Sequence, residues 1–184
     1  MADADFPAIA IVGRGCVLPG VLSPQTLWDA VLEKRDLLTA APPDAWGVTP
    51  KEHAALAYRG GFVTGFAQVF EPARYALDGL DPAALDPVFQ WLLHAGHQAW
   101  QEAGAPQASA TKIGVIAGNL CYPSRALSEF AADVWSGVRS KVHPFNRFNT
   151  GAPARLLARA LGAEGPAFCL DAACASSLYA LKLA

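Results

Sequence analysis

Short apolar runs that stop at glycine or at a small-residue turn alternate along this chain with stretches of three-four helical spacing, and that alternation restricts the fold more than any other feature. Ala8-Ile9-Ala10-Ile11-Val12, closed by Gly13, reads as a buried first strand. Ser23 followed by Pro24 is an N-cap with proline at the first helical position. Leu27, Trp28, Val31 and Leu32 then recur with helical period, which predicts a helix over about 24–34. The stretch to about residue 80, with Pro42-Pro43 and Gly60-Gly61, reads as irregular structure around one short strand near 61–65. Asp86-Pro87 repeats the cap-then-proline signal ahead of Phe89, Leu92, Leu93 and Trp100, with Gly104 and Pro106 as the stop. Ile113–Ala117 is a further buried strand. Pro123-Ser124 opens a helix on which Leu127, Phe130, Ala131, Val134, Trp135 and Val138 share a face, and Pro153–Leu161 is a short helix ended by Gly162. No repeat, low-complexity tract or linker divides residues 1–184, so the chain reads as one α/β domain with a mainly parallel sheet covered by helices.

Composition narrows the functional classes. Charged residues are 16% of the chain, below the about 25% of an average globular protein, so part of the apolar surface is expected to meet a partner subunit or a remainder of the same domain. Leu178-Tyr179-Ala180-Leu181-Lys182-Leu183-Ala184 keeps its helical pattern to the last residue, and we expect the domain to be truncated inside that helix. The exposed face left by such a cut predicts an inactive, poorly folding chain when residues 1–184 stand alone. A net charge of −2 with scattered Lys and Arg excludes a nucleic-acid footprint. The acidic start and the lack of a long apolar run exclude a signal peptide and a membrane span, which makes the cytoplasm the expected compartment. Cys16, Cys121, Cys169 and Cys174 form no CxxC pair and are expected to be free thiols.

One segment carries chemistry. After Gly165-Pro166 come the strand Ala167–Asp171, the small-residue turn Ala172-Ala173-Cys174-Ala175-Ser176-Ser177 and a helical pattern from Leu178, which puts Cys174 at a strand-to-helix bend. A side chain there can project from the end of the sheet, small neighbours let a carbonyl approach, and a helix N-terminus favours the negative charge of a nucleophilic thiolate and of an oxyanion. A lone cysteine among alanines is more often a small buried hydrophobe than a nucleophile, and the local pattern alone does not settle the role. Elsewhere the plain reading is preferred. Gly13-x-Gly15 with Gly20 misplaces the third glycine of a dinucleotide loop and is read as a tight turn. His94 and His97 share a helix face with no further ligand to complete a metal site. Cys169 is read as strand packing; Cys16 and Cys121 have no activating context. Asp171 is expected to fix the turn through backbone N–H groups, and Ser176 and Ser177 to cap or pack the helix start.

The segment DAACASSLYALKLA resembles the active-site segment of β-ketoacyl synthases, the condensing-enzyme family. AIAIVGRGCVLPG, LWDAVLEKRDLL, PPDAW, LDPVFQWLLHAGHQAWQEAG and GPAFCLD resemble further blocks of the family in the family's order. Ala45 departs from the usual Arg and Ala175 from a common Ser. The Tyr122-Pro123-Ser124 block and ACASSLYA look most like the ketosynthases of polyunsaturated fatty acid synthases and related iterative polyketide synthases. The resemblance implies the N-terminal half of a thiolase-like fold, with Cys174 as the acyl-accepting nucleophile of a decarboxylative Claisen condensation. It implies substrates carried as acyl and malonyl thioesters on the phosphopantetheine of an acyl carrier protein, no bound cofactor or metal, and a homodimer. Two histidines and a lysine of the second half complete such a site; His53, His94, His97 and His143 match none of their motifs. A non-catalytic chain-length-factor-like partner and another thiolase-superfamily acyltransferase are the alternatives.

Overall fold

A computed structural model describes residues 9–42, 59–106, 108–120 and 122–184; His53, Cys121 and most of the PPDAW block lie outside them. The helix starts show how closely local chemistry sets this fold. Ser23 caps helix α1 (Pro24–Leu32) in a capping box: Thr26 N–H donates to Ser23 Oγ at 3.2 Å and Ser23 N–H to Thr26 Oγ1 at 3.2 Å. This satisfies amides that the first turn would otherwise leave unpaired. Asp86 does the same for α2 (Pro87–Glu102), accepting from Val88 N–H at 3.2 Å, and Ser124 for α3 (Arg125–Trp135), accepting from Leu127 N–H at 3.2 Å. Helix α4 (Ala152–Ala160) runs to Gly162, whose φ of +66° is the left-handed stop expected of that residue.

Strand β1 (Thr39–Ala40) pairs antiparallel with β2 (Arg59–Gly60), just before the position expected from Gly61–Gly65. Strand β3 (Val115–Gly118) pairs in parallel with β4 (Ala167–Leu170), Val115 opposite Ala167 and Gly118 opposite Leu170. The parallel pair with crossover helices is the αβ order that the alternating patterns imply. Helix α4 packs on both strands and on α2, and Phe89, Leu93, Val115, Leu156 and Leu157 form the centre of the core. Helix α5 (Ser176–Leu183) follows β4 and lies against β3.

One expectation needs correction. Ile9–Val12 is not a buried strand: among the described residues no strand flanks it, and Ile9, Ile11 and Val12 are exposed. Among the described residues the run has no ladder partner that would turn apolar sequence into a strand. Helix α3 forms where the three-four spacing puts it, yet none of its residues is buried and Trp135 is 93% exposed; periodicity dictates an amphipathic helix without dictating what covers its face.

Candidate active site

The Cys174 bend is built by its own neighbours. Beyond β4 the backbone turns through Ala172 and Ala173, and Cys174 sits in a 3-10 turn, Ala173–Ala175, that runs directly into α5. Ala173 has φ of +50°, a left-handed conformation that costs an alanine about 1–2 kcal/mol. Hydrogen bonds on either side hold it there. Ala173 N–H donates to Asp171 Oδ1 at 2.9 Å, and Ala172 N–H donates to Ser176 Oγ at 2.9 Å. The Ser176 hydroxyl in turn donates to Ala173 C=O at 2.7 Å. Asp171 thus plays the turn-fixing part expected of it. Ser176, 6% exposed, is the buried staple of the bend, whereas α5 itself begins without a side-chain cap. Cys174 is left exposed at the top.

Strand β3 supplies the floor. A Cβ on Gly118 would stand 2.7 Å from Ser176 C and 2.9 Å from Ser177 N, so the strand backbone touches the first turn of α5 just past the cysteine. Asn119 N–H adds a rung beyond the strand pair, donating to Leu170 C=O at 2.9 Å. Cys174 therefore stands at the C-terminal end of a parallel strand pair, where ligand sites of α/β sheets gather.

The other candidates fall into place by their contacts. Cβ atoms on Gly13 and Gly15 would collide with the Ala99 and Ala95 carbonyl oxygens; these glycines let the loop lie on α2, a packing reason unrelated to a phosphate. Gln98 secures the same loop. Its Oε1 accepts from Cys16 N–H at 3.0 Å and its Nε2 donates to Leu22 C=O at 2.6 Å. With the amide so oriented, His94 Nε2, 2.9 Å away, is the acceptor. His94 packs edge-on to Phe66 and His97 edge-on to Tyr75, and burial lowers the pKa of both imidazoles, with Arg74 pushing the same way. His143 caps a 3-10 turn through Nδ1. Burial pushes the Cys16 thiol pKa up, and Cys169, half-buried on β4, packs against the core with its Sγ 3.8 Å from Gly151 C=O. Among the described residues no three His, Cys, Asp or Glu side chains converge as metal ligands, and no helix is long and apolar enough to cross a membrane. A cavity of about 540 Å³ runs along β4 past Phe148 and Phe168, and one of about 870 Å³ separates α1 from the end of α2; Cys174 lines neither.

The model of the β-ketoacyl synthase N-terminal domain matches residues 7–184. The chain belongs to the β-ketoacyl synthase family. Mycoketide-CoA synthase of Mycobacterium tuberculosis is 36% identical over 96% of this chain, and the pikromycin polyketide synthase component PikAII of Streptomyces venezuelae is 35% identical over 96%. The chain spans 4% and 5% of those two relatives. Among solved structures, the keto synthase-chain length factor PfaC superposes with a TM-score of 0.76 at 31% identity, over 95% of this chain and 22% of that one. A ketosynthase from module 6 of the bacillaene synthase of Bacillus subtilis gives 0.63 at 22% identity, over 96% of this chain and 28% of that one, and shares the fold. The family's condensing-enzyme fold is thus the setting of the β4–Cys174–α5 bend. Sequence reading placed Cys174 and Asp171 there, but it passed over Gly118 and Asn119. A lone glycine or asparagine after a strand carries no periodic signal; the Gly-Asn pair closing the Ile113–Ala117 run was the available hint.

Proposed function

We propose that Cys174 is the acyl-accepting nucleophile of a ketosynthase that carries out decarboxylative Claisen condensation. The carrying observation is an exposed thiol at a strand-to-helix bend whose turn is fixed on both sides by Asp171 and Ser176. The thiolate attacks the carbonyl carbon of an acyl group held on the phosphopantetheine of an acyl carrier protein. The acyl–sulfur bond to the carrier breaks, the released pantetheine thiol takes up a proton, and the acyl group stays on Cys174 as a thioester. Carrier-bound malonyl then loses carbon dioxide, and its carbanion attacks the Cys174 thioester. Sγ departs as thiolate, and the carrier is left with a β-ketoacyl chain two carbons longer. Holding the electrophile covalently makes the second step a positioned encounter.

On this reading residues 1–184 are the N-terminal part of the synthase domain. The two histidines and the lysine that polarise malonyl come from a second half, no metal or redox cofactor is used, and the complete domain is a cytoplasmic homodimer. The likeness to a polyketide synthase component and to a keto synthase-chain length factor supports carrier-bound acyl substrates of the polyketide or fatty acid type. A chain-length-factor-like partner without chemistry would not need an exposed cysteine held at such a bend. The deciding experiment incubates the complete synthase with an acyl thioester and maps the adduct by mass spectrometry. Acylation on the Cys174 peptide, lost in Cys174→Ala, is expected; an adduct that persists in Cys174→Ala refutes the assignment.

A further inference from the structure

Where β3 ends, the backbone and side chain of one residue hydrogen-bond to two other parts of the molecule. Asn119 follows Gly118, the residue on which the first turn of α5 rests, and its N–H closes on Leu170 C=O, the last residue of β4, at 2.9 Å. It therefore lies between the two limbs of the Cys174 bend. Its carboxamide reaches the other way: Asn119 Nδ2 donates to Asn149 C=O at 2.7 Å and to Thr150 C=O at 3.2 Å, the backbone leading into α4. Asn149 is 6% exposed, and its own Nδ2 donates to Tyr122 C=O at 3.3 Å. Among the described residues Asn149 Oδ1 is buried without a hydrogen-bond partner.

We propose that Asn119 is a positioning residue for Cys174, its side-chain N–H₂ clasping the 149–150 carbonyls so that the ends of β3 and β4 hold the nucleophile bend in register. The inference rests on the ketosynthase reading. Volume is not what the position requires, since an isosteric carboxylate would fill the same space. Two donated bonds are required, and a carboxylate would turn two attractive contacts with carbonyl oxygens into repulsive ones. Misplacing a reacting group by about 1 Å costs on the order of 100-fold in rate, and a released clasp acts on the turnover of bound substrate rather than on its binding.

The test compares Cys174 acylation in the complete synthase for the wild type, Asn119→Asp, Asn119→Ala and Asn149→Ala, with the folded fraction of each measured at the assay temperature. Asn119→Asp is expected to lower the acylation kcat by about 10- to 100-fold and Asn119→Ala by about tenfold, with KM for the acyl thioester within about twofold. Asn149→Ala keeps the backbone carbonyl that Asn119 uses and is expected to stay within about threefold of wild type. Wild-type kcat in both Asn119 variants, a rise in KM at unchanged kcat, or a kcat loss that merely tracks the unfolded fraction would overturn the proposal. Failure of both Asn119 variants to fold would overturn it too, in favour of a purely structural role. If the wild type itself takes no acyl group on Cys174, it is the ketosynthase reading that fails.

Discussion

Replacing Gly118 by Ala tests whether the floor of the nucleophile bend matters as the packing implies. The added Cβ would sit 2.7 Å from Ser176 C, and 2.9 Å from both Ser176 O and Ser177 N, all backbone atoms that no rotamer change can move aside. Restoring a 3.4 Å contact requires the first turn of α5 to retreat by about 0.7 Å, carrying the Ser176 staple with it. Overpacking of this kind costs about 1–3 kcal/mol. A shift approaching 1 Å beside the nucleophile is expected to slow acylation by roughly 10- to 100-fold. Single-turnover acylation of the complete synthase, followed by intact mass, reads the rate; denaturant unfolding reads the stability. Gly151→Ala is the internal control, because a Cβ there meets nothing within 4 Å and φ is −119°. Should Gly118→Ala acylate and unfold like the wild type, the close approach of β3 to α5 plays no part in holding Cys174.

Ser176→Ala removes one accepted and one donated bond at a buried position, so a loss of about 1–3 kcal/mol in unfolding free energy is expected together with slower acylation; unchanged stability would remove Ser176 from the bend's support. Iodoacetamide is expected to label Cys174 ahead of Cys16, whose thiol is raised by burial, and ahead of half-buried Cys169; peptide mapping that finds either of them labelled first refutes that order. Burial keeps His94 and His97 below their ordinary value of 6.5. Below that pH the unfolded chain binds more protons than the folded one, so stability is expected to decline as pH falls through 6.5 and below. Denaturation midpoints at pH 7.5 and 5.5 measure the slope, and His97→Phe should flatten it; an unchanged slope in that variant would show that His97 contributes nothing to it.

Much of this protein is decided locally, and that part was legible in the sequence. Ser23, Asp86 and Ser124 cap helices where a short polar side chain precedes an apolar three-four pattern, because the bonds that start a helix span three residues or fewer. The strand-turn-helix order around Cys174 was legible for the same reason, as was the Asp171 turn, whose two partners are two residues apart. Tertiary structure alone decided the rest. Ile9–Val12 has the composition of a buried strand and is exposed, since strand pairing needs a neighbour that composition cannot specify. The floor at Gly118 and the Asn119 clasp join residues 118–119 to 149–150 and 176–177, separations of about 30 and 60 positions over which no local pattern operates. Their geometry exists only once the parallel register of β3 and β4 has brought the two strand ends together beneath the cysteine.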